Sequence, residues 1–102
     1  MAEKIAVFAY LQARQGKEEA TKQALLALVA PTRAEEGCLN YDLHQSTADR
    51  TKFIFYENWT SRELLEKHRG SAHIAAFRAR VSELLTQPPD IQIWEMVSSP
   101  AA

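Results

Sequence analysis

Two segments of this chain are apolar on both parities, and that constrains its fold more than any other feature. In residues 4–13, Ile5, Val7, Ala9 and Leu11 alternate with Ala6, Phe8 and Tyr10. In residues 52–59, Phe53, Phe55, Glu57 and Trp59 alternate with Ile54, Tyr56 and Asn58. Successive side chains of a strand point to opposite faces, so both segments read as strands with something to bury on each side. A third strand, residues 38–45, is amphipathic instead: Leu39, Tyr41 and Leu43 oppose Asn40, Asp42 and His44. The polar residues 46–51 join it to 52–59 as a hairpin connection.

Helical spacing accounts for most of the rest. After a Gln15-Gly16 turn, residues 17–35 carry Ala20, Ala24, Leu25, Leu28 and Thr32 on one side, and Pro31 is expected to kink or break that helix. Glu36-Gly37 closes it, with Gly37 as a left-handed cap. Thr60 and Glu63 have capping-box spacing, so another helix starts there, and Gly70 interrupts it. Ser71 caps a further helix whose inner face is Ile74, Phe77, Val81, Leu84 and Leu85. Pro88-Pro89-Asp90 ends that helix, and residues 91–97 form a last strand.

The order strand, helix, two strands, helices, strand predicts an α+β domain, an antiparallel four-stranded sheet with its helices on one face. Helices on one side leave the far side of the double-sided strands bare. A large bare apolar face is rare on a soluble monomer, so a second copy is expected to cover it in a two-fold homodimer. The 102 residues suffice for one domain, residues 1–102.

Composition removes several functional classes. The net charge is −1 and the 12 lysines and arginines are scattered, so no basic stripe is present to recruit nucleic acid. No apolar run nears the roughly 20 residues of a membrane span, and the first residues do not read as a signal peptide. Cys38 is the single cysteine, which rules out an internal disulfide and fits a cytoplasmic location. Its surroundings in sequence mark it as a buried small apolar residue rather than a nucleophile. No phosphate-binding glycine loop and no nicotinamide or flavin fingerprint is present.

Residues 57–77 concentrate the chemistry. Glu57 between Phe55 and Trp59 would be poorly solvated, which raises its pKa and suits it to proton transfer. The ordinary structural alternative pairs Glu57 with Arg78 or Lys67 and makes Trp59 core. His73 lies in the first turn of its helix, where the dipole keeps the ring neutral and able to act as a base; bonding to backbone groups is the competing role. His68 reads as a structural polar residue. The spacing of His68 and His73, five residues broken by a glycine, is not the one-face pair zinc favours, so no metal is expected. His44 is expected to bond Asp42 or hairpin backbone.

The segments EEGCLNYDLHQS, FIFYENWTSRELLEKH and SAHIAAF together resemble the antibiotic biosynthesis monooxygenase domain family across nearly the whole chain. The diagnostic parts are Glu36-Gly37-Cys38 before a strand, Glu57-x-Trp59-x-Ser61, and His68 followed by His73. The resemblance implies a ferredoxin-like α+β fold that assembles as a dimeric α/β-barrel. Small quinol-monooxygenase-type members are the nearest in pattern, sharing Glu57, Trp59, Ser61, His68 and His73. Polyketide-oxidising members have a Trp at Trp59 and a His near His44, but an Asn and a Tyr where this chain has Phe55 and Leu65. Haem-degrading members need an Asn and a His where Ala9 and Arg78 stand, which counts against that activity.

The resemblance further implies oxygenation of a small hydrophobic aromatic substrate by dioxygen with no metal, flavin or other cofactor. On that reading His73, Glu57 and Trp59 are the catalytic group, with His73 or Glu57 taking the phenolic proton. Phe55, Tyr41, His68 and His44 bind the substrate: Phe55 stacks with Trp59 on the ring, and His44 bonds an oxygen. Two alternatives stay open. One is an isomerase using Glu57, His68 and His73 on a sugar-like or small carbonyl substrate; the other is a dimeric protein that binds a hydrophobe without turnover. Trp59, and the absence from the sequence of an arginine cluster near the pocket, favour an aromatic ligand over a sugar phosphate.

Overall fold

A computed structural model describes residues 4–99. The two double-sided strands, β1 (Ile5–Gln12) and, later in the chain, Lys52–Trp59, lie side by side at the centre of one antiparallel sheet. In chain order the elements after β1 are α1 (Glu18–Leu26), α2 (Val29–Arg33), β2 (Cys38–Gln45), β3 (Lys52–Trp59), α3 (Arg62–Arg69), α4 (Ala72–Arg78), α5 (Val81–Leu84) and β4 (Asp90–Trp94). The sheet order is β2-β3-β1-β4, the α+β ferredoxin-like arrangement expected.

Register decides which side chains meet. Glu57 sits opposite Val7 on β1 and opposite Tyr41 on β2, so the three share a face. That face, with Ala9, Leu11, Phe53 and Phe55, packs against Leu25, Leu28, Phe77, Leu84 and Leu85 from the helices. Each large side chain buried there stabilises by about 1.5–3 kcal/mol. Val7, Trp59 and Leu65 form a smaller cluster beside it. The opposite face holds Phe8 stacked on Tyr56 at 5.1 Å and edge-on to Trp94 at 6.3 Å. Trp94 is 54% exposed there.

The long helix of residues 17–35 is in fact two, separated at Ala27 and Leu28. Pro31 explains the position: it has no N–H for the Ala27 carbonyl, and its ring crowds that carbonyl. It sits instead in the first turn of α2, where a missing donor is tolerated. Ser61, not Thr60, caps α3, its hydroxyl accepting from the Leu64 N–H at 3.2 Å. Thr60 is taken up by the chain crossing, where its N–H donates to the Gly37 carbonyl at 2.9 Å. Ser71 occupies the N-cap of α4 without making a cap bond, because its hydroxyl faces His73. The final strand stops at Trp94 because its partner β1 runs out one residue beyond Ala6.

Gly37 has φ +86, the left-handed cap expected of it. A Cβ there would lie 2.5 Å from Leu64 Cδ1 and 2.9 Å from Thr60 Oγ1. The turn between α2 and β2 is thereby clamped against the start of α3, which sets the position of Glu35 two residues earlier.

Candidate active site

Strand alternation puts Phe55, Glu57 and Trp59 on the helix side of β3. The Trp59 indole Nε1 donates to Glu57 Oε1 at 2.9 Å. Trp59 is 0% exposed and Glu57 4%. Burial of the carboxyl pushes the Glu57 pKa up to about 7, with the Trp59 bond pulling the other way and the Glu35 carboxylate adding to the rise. Tyr41 stacks on Phe55 at 4.3 Å, and burial lifts its phenol well above the ordinary range, so it is no base near neutral pH.

His68, in the last turn of α3, lies 4.7 Å from the Trp59 ring and 5.6 Å edge-on from Tyr41. Its Nδ1 is 2.7 Å from Glu35 Oε2, and His73 Nε2 is 2.9 Å from the same oxygen. Ser71 Oγ is 3.3 Å from His73 Nε2. Burial lowers the His68 pKa, and the Glu35 bond and charge oppose that.

Between sheet and helices is a cavity of about 210 Å³. Its walls include Tyr41, Phe55, Leu65 and Phe77, with Glu57 and His68 as interior polar groups and the exposed Arg69 and Arg78 also in its lining.

Four residues expected at the site therefore meet in one cavity: Glu57, Phe55, Tyr41 and His68. Trp59 lies behind them, fully buried between Glu57 and His68 and off the cavity wall, with its indole N–H on the carboxyl. His73 turns to Glu35 and also stays off the wall. His44 is separated altogether: it is exposed on the opposite face, its Nδ1 3.2 Å from the Asp42 carbonyl oxygen. Parity explains this, since His44 pairs with Ile54 while Tyr41 pairs with Glu57. The alternative pairing of Glu57 with Arg78 or Lys67 is not formed; Arg78 Nη2 instead donates to the Arg69 carbonyl at 3.1 Å. Burial, with Glu57 and Glu35 nearby, pushes the Cys38 thiol up to about 11, which leaves it unreactive.

Two features escaped the sequence reading. Glu35 is 33 and 38 residues from the histidines it joins, and its one local signal is the turn glycine that follows. The paired arginines of the lining were likewise not evident. Glu35, His68 and His73 present three ligand atoms within 4.8 Å of one another, a donor set a divalent cation could use. Here the set is closed on itself by hydrogen bonds to the shared oxygen. Among the described residues no helix is long and apolar enough to cross a membrane.

The ferredoxin-like domain thus encloses a largely apolar cavity with a buried acid and imidazole in its lining. Residues 4–80 match the antibiotic biosynthesis monooxygenase family, and the chain belongs to that family. Over 93 residues, 91% of each chain, it is 41% identical to the Mycobacterium tuberculosis protein named "Putative monooxygenase Rv0793". The structure of that protein superposes with TM-score 0.89, covering 97% of this chain and 100% of the other at 35% identity. PA3566 from Pseudomonas aeruginosa superposes with TM-score 0.90 at 36% identity, covering 96% and 98%.

Proposed function

We propose that this protein is a monooxygenase that inserts oxygen from dioxygen into a small phenol or hydroquinone bound beside Glu57. The observation that carries this reading is a buried carboxyl opening into an otherwise largely apolar cavity, where burial pushes its pKa up to about 7. Such a group can take a phenolic proton at neutral pH and give it back. A cavity of about 210 Å³ suits one aromatic ring or a fused pair, given that roughly 150 Å³ of apolar cavity holds benzene.

The chemistry needs little beyond a base and a dry site. Ground-state dioxygen is a triplet and reacts slowly with closed-shell molecules. A phenolate is electron-rich enough to pass it one electron, and the radical pair then joins a ring carbon to oxygen. The resulting hydroperoxide loses water: the carbon–hydrogen and oxygen–oxygen bonds break and a carbonyl forms. A hydroquinone and dioxygen thus become a hydroxyquinone and water, with no outside reductant. Phe55 and Tyr41 wall the ring, Glu57 exchanges the hydroxyl proton, and Arg69 and Arg78 favour anionic intermediates. Neither flavin nor metal enters this scheme.

The same arginines favour a second reading, isomerisation of a small anionic carbonyl compound by Glu57 and His68, which consumes no oxygen. An oxygen electrode with a panel of one- and two-ring hydroquinones separates the two. Uptake above the enzyme-free rate supports oxygenation. Its absence with every compound argues for isomerisation or for binding alone.

The reading includes a homodimer joined through the open sheet face. Phe8, Tyr56 and the exposed Trp94 form an apolar patch on that face which a second copy would cover.

A further inference from the structure

Oxygenation takes two protons from the substrate at two places: one from a hydroxyl, which Glu57 takes and returns to the peroxide, and one from a ring carbon. Glu35 points to a separate acceptor for the second. Among the described residues Glu35 meets no lysine or arginine within ion-pair distance; it takes two imidazoles on one oxygen instead. A carboxylate can only accept, so each ring nitrogen facing it carries a proton. For His68 this geometry favours a proton on Nδ1 toward Glu35, the tautomer in which Nε2 keeps a lone pair.

Nε2 of His68 has no hydrogen-bond partner among the described residues, and it is absent from the buried polar atoms sealed without one. His68 itself lines the cavity that Glu57 lines. We propose, resting on the monooxygenase reading above, that Glu35 is a positioning residue that holds His68 with a bare Nε2 toward the cavity as the second proton acceptor. When the oxygen–oxygen bond breaks, Nε2 takes the ring-carbon proton and the electron pair left behind forms the carbonyl. The distal oxygen leaves as hydroxide and collects that proton from the imidazolium as water. While it is charged, the ring is held by the Glu35 carboxylate.

The groups around His68 are consistent with that duty. Glu35 reaches it from the turn after α2, Tyr41 from β2, Trp59 from β3, His73 from α4, and Arg69 adjoins it on α3. Burial keeps the ring neutral and its lone pair available at neutral pH. His73 shares the anchor without reaching the cavity, which makes it a second strut for Glu35.

Nitrogen-15 NMR of the histidine rings in the whole protein tests the positioning claim without any turnover. Wild-type His68 is expected as the Nδ1–H tautomer with a bare Nε2, and Glu35→Ala should lose that preference. An Nε2–H tautomer in the wild type, or an unchanged ring in Glu35→Ala, overturns it. With an active hydroquinone, His68→Gln should lower kcat about 100-fold with KM little changed. Glu35→Ala should lower kcat at least about tenfold and move its acid limb. Full activity in His68→Gln defeats the acceptor role. No oxygen uptake by the wild type, together with the expected tautomer, would instead defeat the monooxygenase reading and leave the positioning standing.

Discussion

The indole N–H of Trp59 bonds the carboxyl of Glu57 at 2.9 Å, from two residues along the same strand face and out of reach of water. Trp59 thus tempers the acid that the cavity creates. Trp59→Phe removes that donor while keeping an aromatic ring. A bond to a charged group contributes about 1.5–3 kcal/mol, so the Glu57 pKa should climb by about one unit or more above its present value near 7. Carbon-13 NMR titration of the carboxyl measures it directly. A midpoint that stays put or falls contradicts the account.

Glu57 should also make stability depend on pH. Its folded pKa of about 7 lies above its ordinary value of 4.5, so the folded state binds the extra proton between them. Stability from this group is greatest below about pH 4.5 and declines as pH rises to about 7. His68, lowered on folding, works oppositely, its contribution growing as pH rises toward its ordinary value of 6.5. Comparing Glu57→Gln with the wild type isolates the carboxyl. In urea unfolding the variant should gain on the order of 3 kcal/mol relative to wild type between pH 4.5 and pH 8. A difference that is flat with pH contradicts a buried acid.

Gly37→Ala should destabilise the fold. The left-handed φ strains any side chain, and the new methyl meets Leu64 and Thr60. A loss of about 1–3 kcal/mol in urea unfolding is expected. Gly16→Ala shares the positive φ but meets open space, so it should cost less. Equal losses at the two positions would mean that the Leu64 contact carries no energy.

On the open face, Trp94→Glu should break the proposed dimer without touching the cavity. Sedimentation at micromolar concentration should give the wild type twice the 11.5 kDa of one chain and the variant a single chain's mass. A wild type at 11.5 kDa defeats the dimer.

The sheet was legible because β1 and β3 are apolar on both parities, a pattern that fits only central strands. The same alternation put Phe55, Glu57 and Trp59 on one face of their strand and set Tyr41 opposite His44 on theirs; the register between the two strands is what joins Tyr41 to Glu57 and leaves His44 on the far face. The resemblance to polyketide-oxidising relatives drew His44 toward the substrate, and strand parity prevailed. What stayed hidden was set by contacts distant in sequence. Glu35 reaches His68 only because Gly37 folds the turn against α3, and the glycine by itself does not show which helix that turn meets. Thr60 and Ser61 are adjacent hydroxyl residues, and only the chain crossing at Gly37 decides which of them caps the helix. The indole of Trp59 looked like a stacking surface; its hydrogen bond to Glu57 turned it away from the cavity.

The most direct test is turnover of a one-ring hydroquinone under oxygen-18 gas, with the product examined by mass spectrometry. One labelled oxygen atom is expected in the hydroxyquinone and the other in water, with at least a tenfold lower rate of labelling in Glu57→Gln. A product that carries no label, or labelling at the enzyme-free rate, would contradict the monooxygenase reading.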